Sequence, residues 1–321
     1  MSEGKGFYAG LGSGLDTVEV EEVYEATADR SVARRLADTE NPFTIEVRFL
    51  GGLTDSQKQA FKKAADRWAE VIVGDLQDVE LPGGTVIDDV RIDAAGVAID
   101  GPGRVLGRAG PDLLRPAGST HEFLTITGGM EFDLADIPKM IDDNLWDIVI
   151  MHEMGHVIGM LDFVWSQKGL VSNKFTPSWS FVGQTAMAEF GKLQEPCAST
   201  AIADLVTAAT GVGGGVPVPI EDNFGPGTQG SHWRESVFGA EMMTGFVNQG
   251  ANPLSRVTGG ALTDIGYTVN LDACDPYTLP SPTVLAMMGV LTAGRMRDEM
   301  GLIAGGQIEH RTPRVAPTSV L

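Results

Sequence analysis

Asp147-Ile-Val-Ile-Met-His-Glu-Met-Gly-His-Val-Ile-Gly159 is the stretch on which the reading of this chain turns. Its apolar residues predict a helix running from about Leu145, and that helix carries His152, Glu153 and His156. Residues four apart on a helix differ by about 40° around the axis and about 6 Å along it, so the two histidines share a face. Two neutral imidazoles so placed can fix two corners of a tetrahedral metal site, and zinc suits them. Glu153 points to the adjoining side, where it reaches a water at the metal without ligating. A metal that brings the pKa of water to about 7, with a carboxylate to carry the proton to a leaving amine, hydrolyses a peptide bond without a covalent intermediate. The plain alternative is a helix with two satisfied histidines. Trp146, Ile148, Val149, Ile150, Val157 and Ile158 weigh against it, because polar groups in so apolar a segment are costly without partners.

A third ligand is needed. Asp162 lies six residues past His156 in a His-Glu-x-x-His-x-x-Gly-x-x-Asp pattern, and Gly159 would let the chain leave the helix sharply and swing back. His232, in Gly230-Ser-His-Trp-Arg-Glu-Ser236, lies much further on and is followed by Glu241-Met-Met-Thr-Gly245. Glu189 is a third candidate, without the flanking pattern that a glutamate ligand on a following helix usually has.

Upstream, Phe43–Phe49 (FTIEVRF) alternates as a half-buried strand. Thr54 and Gln57 form a capping-box pattern before an amphipathic helix expected over 55–73. Strand-like runs occupy Val90–Asp100 and Phe123–Phe132, with Gly/Pro-rich turns between them, and a short helix fits Leu134–Asp142 if Pro138 stands in its first turn. A short helix fits Ser199–Thr210, and Leu254–Gly266 is another apolar-periodic segment ahead of the tail. The expected organisation is a loosely packed leader over 1–42, an α+β catalytic domain over 43–279 and a tail over 280–321. Within the domain, 43–160 would be an upper lobe and 161–279 a loop-rich lower lobe.

The 321 residues carry 23 Lys+Arg against 43 Asp+Glu, a net charge of −20, which argues against nucleic acid as a partner because phosphates reward basic surfaces. Hydrophobic residues at 43% are enough for a packed core. The longest apolar stretch near an end, Val284–Ala293, is about half the roughly 20 residues of a membrane span, and no apolar signal region opens the chain. Two cysteines, Cys197 and Cys274, form one bridge at most.

Together, HEMGHVIG (152–159), SHWRES (231–236), EMMTG (241–245) and Asn252–Asn270 resemble the leishmanolysin family of metzincin zinc peptidases, in particular its bacterial members. FTIEVRF with its following helix, and Val105–Pro111, sit where that family has similar segments, so the resemblance covers roughly 43–279. It implies a metzincin-like α+β fold and a zinc-dependent, secreted metalloendopeptidase acting on proteins or peptides, expected as a monomer. It makes His152, His156 and His232 the zinc ligands, Glu153 the general base, and Met243 a Met-turn floor beneath the metal. His232 is favoured over Asp162 on its flanks and on the three-histidine chemistry. MLDFVW (160–165) departs from the family continuation, and the cysteine framework of the eukaryotic relatives is absent. A rival reading from another class is a non-catalytic adhesion or binding protein that keeps this fold, but an intact Glu153 argues against it. His121 and His310 read as surface or turn histidines. Asp133, Asp136, Asp142 and Asp143 could bind calcium but fit a solvated face or helix caps equally well. Arg234 and Glu235 could orient the His232 loop or form a simple surface pair.

Overall fold

Local signals set the scaffold. FTIEVRF supplies β2 (Thr44–Phe49), and the chain then turns into α2 (Asp55–Val71) through a reciprocal cap. The Gln57 amide donates to Thr54 Oγ1 at 3.3 Å, and the Thr54 amide donates to Gln57 Oε1 at 2.8 Å. One face of α2 buries Ala60, Phe61, Ala64 and Trp68. The structure, a computed structural model, describes residues 19–194, 215–225, 228–246, 250–287 and 307–318.

The main sheet runs β1 (Glu22–Thr27), β2, β5 (Val90–Val97), β7 (Thr125–Asp133), β6 (Val105–Leu114), with β11 (Gln307–His310) and β12 (Arg314–Val315) on the far side of β6. It is mixed: β2, β5 and β7 are parallel neighbours, whereas β1 on β2 and β6 on β7 are antiparallel. A small hairpin, β3 (Val79–Glu80) with β4 (Val86–Ile87), stands apart. The helix α4 (Trp146–Ile158) packs on β6 and β7, α2 packs on β1 and β2, and the two helices pack on each other, so both cover one face of the sheet. Phe49, Phe61, Phe132 and Trp146 meet edge-on between them, and Trp68 Nε1 donates to the Met151 carbonyl at 3.1 Å. That contact fixes the height of α4 on α2.

After Gly159 the chain forms α5 (Asp162–Gln167), a small sheet in the order β10 (Val218–Pro219), β9 (Ser180–Phe181), β8 (Val171–Ser172), and α6 (Gln184–Gln194) packed against the helix Arg256–Ile265. One continuous core runs from Ala26 to Tyr267 through both parts.

Three expectations change. The leader is structured from residue 19 onward: β1 extends the sheet, and α1 (Arg30–Ala37) follows, capped by Asp29, which accepts from the Ser31 and Val32 amides. Its alternating Glu/Val/Tyr pattern is that of an edge strand with a wet face, which reads as polar leader. Residues 101–122, read as turns, contain β6. The ladder slips between Pro111 and Leu113, so the proline is tolerated at an irregularity, and Gly110 adopts φ +143°. The tail returns to the sheet as β11 and β12. The short helix holding Pro138 in its first turn is α3 (Ile137–Asp142). The helix expected over 199–210 and Cys197 lie outside the described residues. Cys274 has no disulfide partner among the described residues.

Candidate metal centre

Every residue of α4 from Val149 to Ile158 is buried, the two histidines and Glu153 included. The helix ends at Gly159, whose φ of +126° would strain any side chain, and this turn sends the Met160 carbonyl back under the helix. There it accepts from His156 Nδ1 at 2.5 Å. His152 Nδ1 meets the Met242 carbonyl at 2.7 Å, and His232 Nδ1 meets the Thr228 carbonyl at 2.7 Å. A carbonyl only accepts, so each ring is assigned its proton on Nδ1 and presents a bare Nε2.

The three Nε2 atoms converge, with separations of 3.0 Å for His152–His156, 3.1 Å for His152–His232 and 3.0 Å for His156–His232. None of these nitrogens has a proton to share, so the contacts are not hydrogen bonds. They are three lone pairs aimed at one point, an arrangement that calls for a cation. Zinc–nitrogen bonds of about 2.0–2.1 Å give a tetrahedral N···N edge of roughly 3.3–3.4 Å, so the donor set fits zinc to within a few tenths of an ångström. Burial holds the imidazoles neutral, as ligands must be: His152 is pushed down to about 4, and His156 and His232 fall well below the usual value.

That burial has a measurable consequence for the metal-free chain. The unfolded chain takes up histidine protons near pH 6.5 while folded His152 stays neutral down to about 4. The unfolded state therefore binds more protons inside that window, and stability falls as pH drops through it, by roughly 3 kcal/mol from His152 alone. With chelator, wild type should lose more melting temperature between pH 7 and pH 4 than His152→Gln does, a difference that cancels the opposite contributions of Glu153 and Asp89, whose carboxyls burial raises to about 8; parallel profiles would contradict the assignment.

His232 arrives on a tightly bonded crossing. The Trp233 amide donates to the Met243 carbonyl and the Glu221 amide to the His232 carbonyl, both at 2.9 Å. Trp233 stacks on Trp165, and its Nε1 donates to Thr258 Oγ1. Arg234 does orient this loop, donating to the Ile220 and Pro177 carbonyls, and the Glu235 amide donates to the buried carboxylate of Glu221. Met243 is buried beneath the centre: a Cβ on Gly155 would lie 2.8 Å from its sulfur and 3.0 Å from Trp68, which explains the glycine between the two histidines.

Glu153 is 2% exposed, and its Oε2 has no hydrogen-bond partner among the described residues. With nothing else to compensate, burial pushes its carboxyl up to about 8. Asp162 is elsewhere committed: Lys174 Nζ lies 2.6 Å from its carboxylate and Ser166 Oγ donates to it at 3.0 Å, and it is not among the groups placed to share a metal. Glu189 pairs with Lys192 and Arg256. His121 accepts from the Gln77 amide.

The calcium expectation meets a different use of those acids. Asp133 accepts the amides of Ile99, Asp100, Gly101 and Ala135, Asp136 accepts that of Gly103, and Asp143 pairs with Lys139. They tie a loop rather than face one another. Two residues of consequence escaped the sequence reading. Glu241, buried and accepting from Met243, Ser255 and Thr258, clamps the turn under the metal. His310, expected at the surface, stands with its ring centroid 4.2 Å from that of His156. No spacing rule links it to a helix so far back in the chain.

Trp146–Gln167 has the length and hydropathy of a membrane span, yet 83% of that window is buried in the protein, and Gly159 breaks it. It is a core segment. Three convergent imidazoles beside a buried carboxylate form a donor set that could hold a metal ion. The family model for leishmanolysin, a zinc metallopeptidase family, matches residues 119–276, a span holding all three histidines, Glu153 and Met243, and the chain is leishmanolysin-like. No curated protein matches it.

Proposed function

We propose that the chain is a zinc-dependent endopeptidase of the metzincin type, with His152, His156 and His232 as ligands and Glu153 as the general base. The observation that carries this reading is the meeting of three bare Nε2 atoms within 3.1 Å beside a buried carboxylate whose Oε2 has no hydrogen-bond partner among the described residues. Zinc, when bound, supplies a Lewis acid that polarises a carbonyl and makes water a nucleophile near neutral pH.

The remaining steps belong to the chain's own groups. Glu153 accepts a proton from the attacking water and passes it to the leaving amine, a single carboxylate serving both transfers. Met243 closes the underside of the centre with an apolar surface that excludes water. An extended peptide pairs with the β6 edge of the main sheet, whose partner α4 carries the histidines, so that main-chain hydrogen bonds hold the scissile bond over the centre. Export from the cell is proposed on the family resemblance.

Zinc content and cleavage of an unstructured protein such as casein, measured on wild type, His232→Ala and Asp162→Ala, test the assignment. Wild type should hold one zinc per chain and cleave. His232→Ala should lose most of its zinc and with it the activity, whereas Asp162→Ala should keep its zinc. Zinc lost from Asp162→Ala and kept by His232→Ala would transfer the third ligand. Stoichiometric zinc without cleavage of any peptide would favour the binding-protein reading.

A further inference from the structure

The β6 edge, where a substrate should pair, already has an occupant from the same chain. β11 lies parallel to it, with Gln307 opposite Val105, Ile308 opposite Gly107, Glu309 opposite Arg108 and His310 opposite Ala109, and β12 continues along Leu113 and Leu114. The Arg311 amide donates to the Ala109 carbonyl at 2.9 Å and the Ala316 amide to the Leu114 carbonyl at 2.8 Å. This is main-chain pairing of the kind by which sheet edges capture extended peptides.

Side chains fasten the segment. Arg311, 13% exposed, places Nη1 2.8 Å from Asp112 Oδ1 and Nη2 3.2 Å from Glu131 Oε2, and Arg108 pairs with Glu309 at 2.9 Å. The guanidinium crosses Gly129, where a Cβ would meet Nη1 at 2.4 Å, and a Cβ on Gly110, the partner of Gly129 in the ladder, would lie 3.1 Å from the Arg311 nitrogen. Two cross-strand glycines thus leave a slot that one arginine fills. The same run delivers His310 to the centre, its ring centroid 4.2 Å from that of His156. Its ring nitrogen, a nitrogen of His156 and a carboxylate oxygen of Glu153 lie within 4.8 Å of one another.

We propose that Gln307–Ala316 is an intramolecular blocker of the cleft: β11 takes the sheet edge that an extended peptide would pair with, and His310 stands against Glu153 and His156 where that peptide's carbonyl would enter. The chain so folded is latent, and displacement or removal of this segment opens it. This rests on the peptidase reading above, and the experiment separates the two.

Arg311→Glu sets a third carboxylate against Asp112 and Glu131 and should expel the segment, while His310→Ala leaves the strand in place and clears the entrance. Amide hydrogen exchange is measured on the metal-free full chains, and cleavage of a fluorogenic peptide on the zinc-loaded ones. For Arg311→Glu, exchange over 307–316 and along the β6 edge should rise at least tenfold with β5 and β7 still protected, and cleavage should rise at least tenfold. Added synthetic peptide 307–316 should reverse that gain. His310→Ala should raise cleavage at least threefold with exchange unchanged. Equal cleavage by wild type and both variants overturns the blocker and leaves the peptidase reading intact. Zinc-loaded Arg311→Glu that exchanges freely at 307–316 and cleaves nothing overturns the peptidase reading. If Arg311→Glu fails to fold, unchanged cleavage by His310→Ala overturns the blocker by itself.

Discussion

Glu153→Gln is expected to reduce peptide cleavage by about 10²–10⁴-fold with zinc still bound at one per chain. The substitution keeps the shape of a side chain that is 2% exposed, so the packing around it is preserved. It removes the capacity to take up a proton from the attacking water and deliver it to the leaving amine, the two transfers of the proposed mechanism. Because Oε2 has no partner among the described residues, the neutral amide breaks no hydrogen bond at that atom and avoids the cost of protonating a buried carboxyl that burial raises to about 8. The metal-free variant should therefore be at least as stable as wild type at neutral pH. Metal analysis, denaturant unfolding with chelator and peptide kinetics on the same preparations check the three statements. Zinc lost together with activity would make Glu153 a ligand, and full activity would leave the mechanism without its base.

How far this was legible from sequence differs from residue to residue. The pair His152 and His156 could be read because helical periodicity alone puts them on one face, and the apolar run around them fixes the helix. His232 was found through its flanks and not through spacing, since the loops between it and α4 obey no period. Its position depends on the Trp233–Met243 crossing and on stacking against Trp165, both tertiary. Asp162 had a fitting spacing after Gly159 but ranked behind His232 on its flanks, and in the fold Lys174 draws it away. β6 was hidden by Gly107, Gly110 and Pro111, which resemble a turn until the ladder irregularity and the Arg311 slot are seen. The outer strands β1 and β11 were hidden for a related reason. Edge strands alternate with charged residues, and that pattern also describes a solvated tail.

Glu241→Ala should have the largest effect of any substitution outside the histidines and Glu153, and it should act on stability and metal affinity together. The carboxylate is 1% exposed and accepts four hydrogen bonds, from the Met243 amide at 2.6 Å, the Ser255 amide at 3.0 Å, Ser255 Oγ at 2.7 Å and Thr258 Oγ1 at 2.6 Å. Burial raises its pKa and those four donors oppose the rise, so the folded chain holds it at a net cost that the turn geometry requires. Truncation leaves four buried donors unmatched, a loss of about 3–5 kcal/mol. The turn it holds presents the Met242 carbonyl to His152 Nδ1 and the Met243 carbonyl to the Trp233 amide, next to His232. Loosening it frees two of the three imidazoles to rotate, and outer hydrogen bonds of this kind are typically worth 10–100-fold in metal affinity. Denaturant unfolding of the metal-free chain gives the first quantity and chelator competition the second. A stability loss of that size with zinc affinity unchanged would mean that the turn supports the core without orienting the ligands. Glu241→Gln separates the effects further. It fills the same space but turns an amide N–H₂ toward some of those donors, so it should recover part of the stability and less of the affinity.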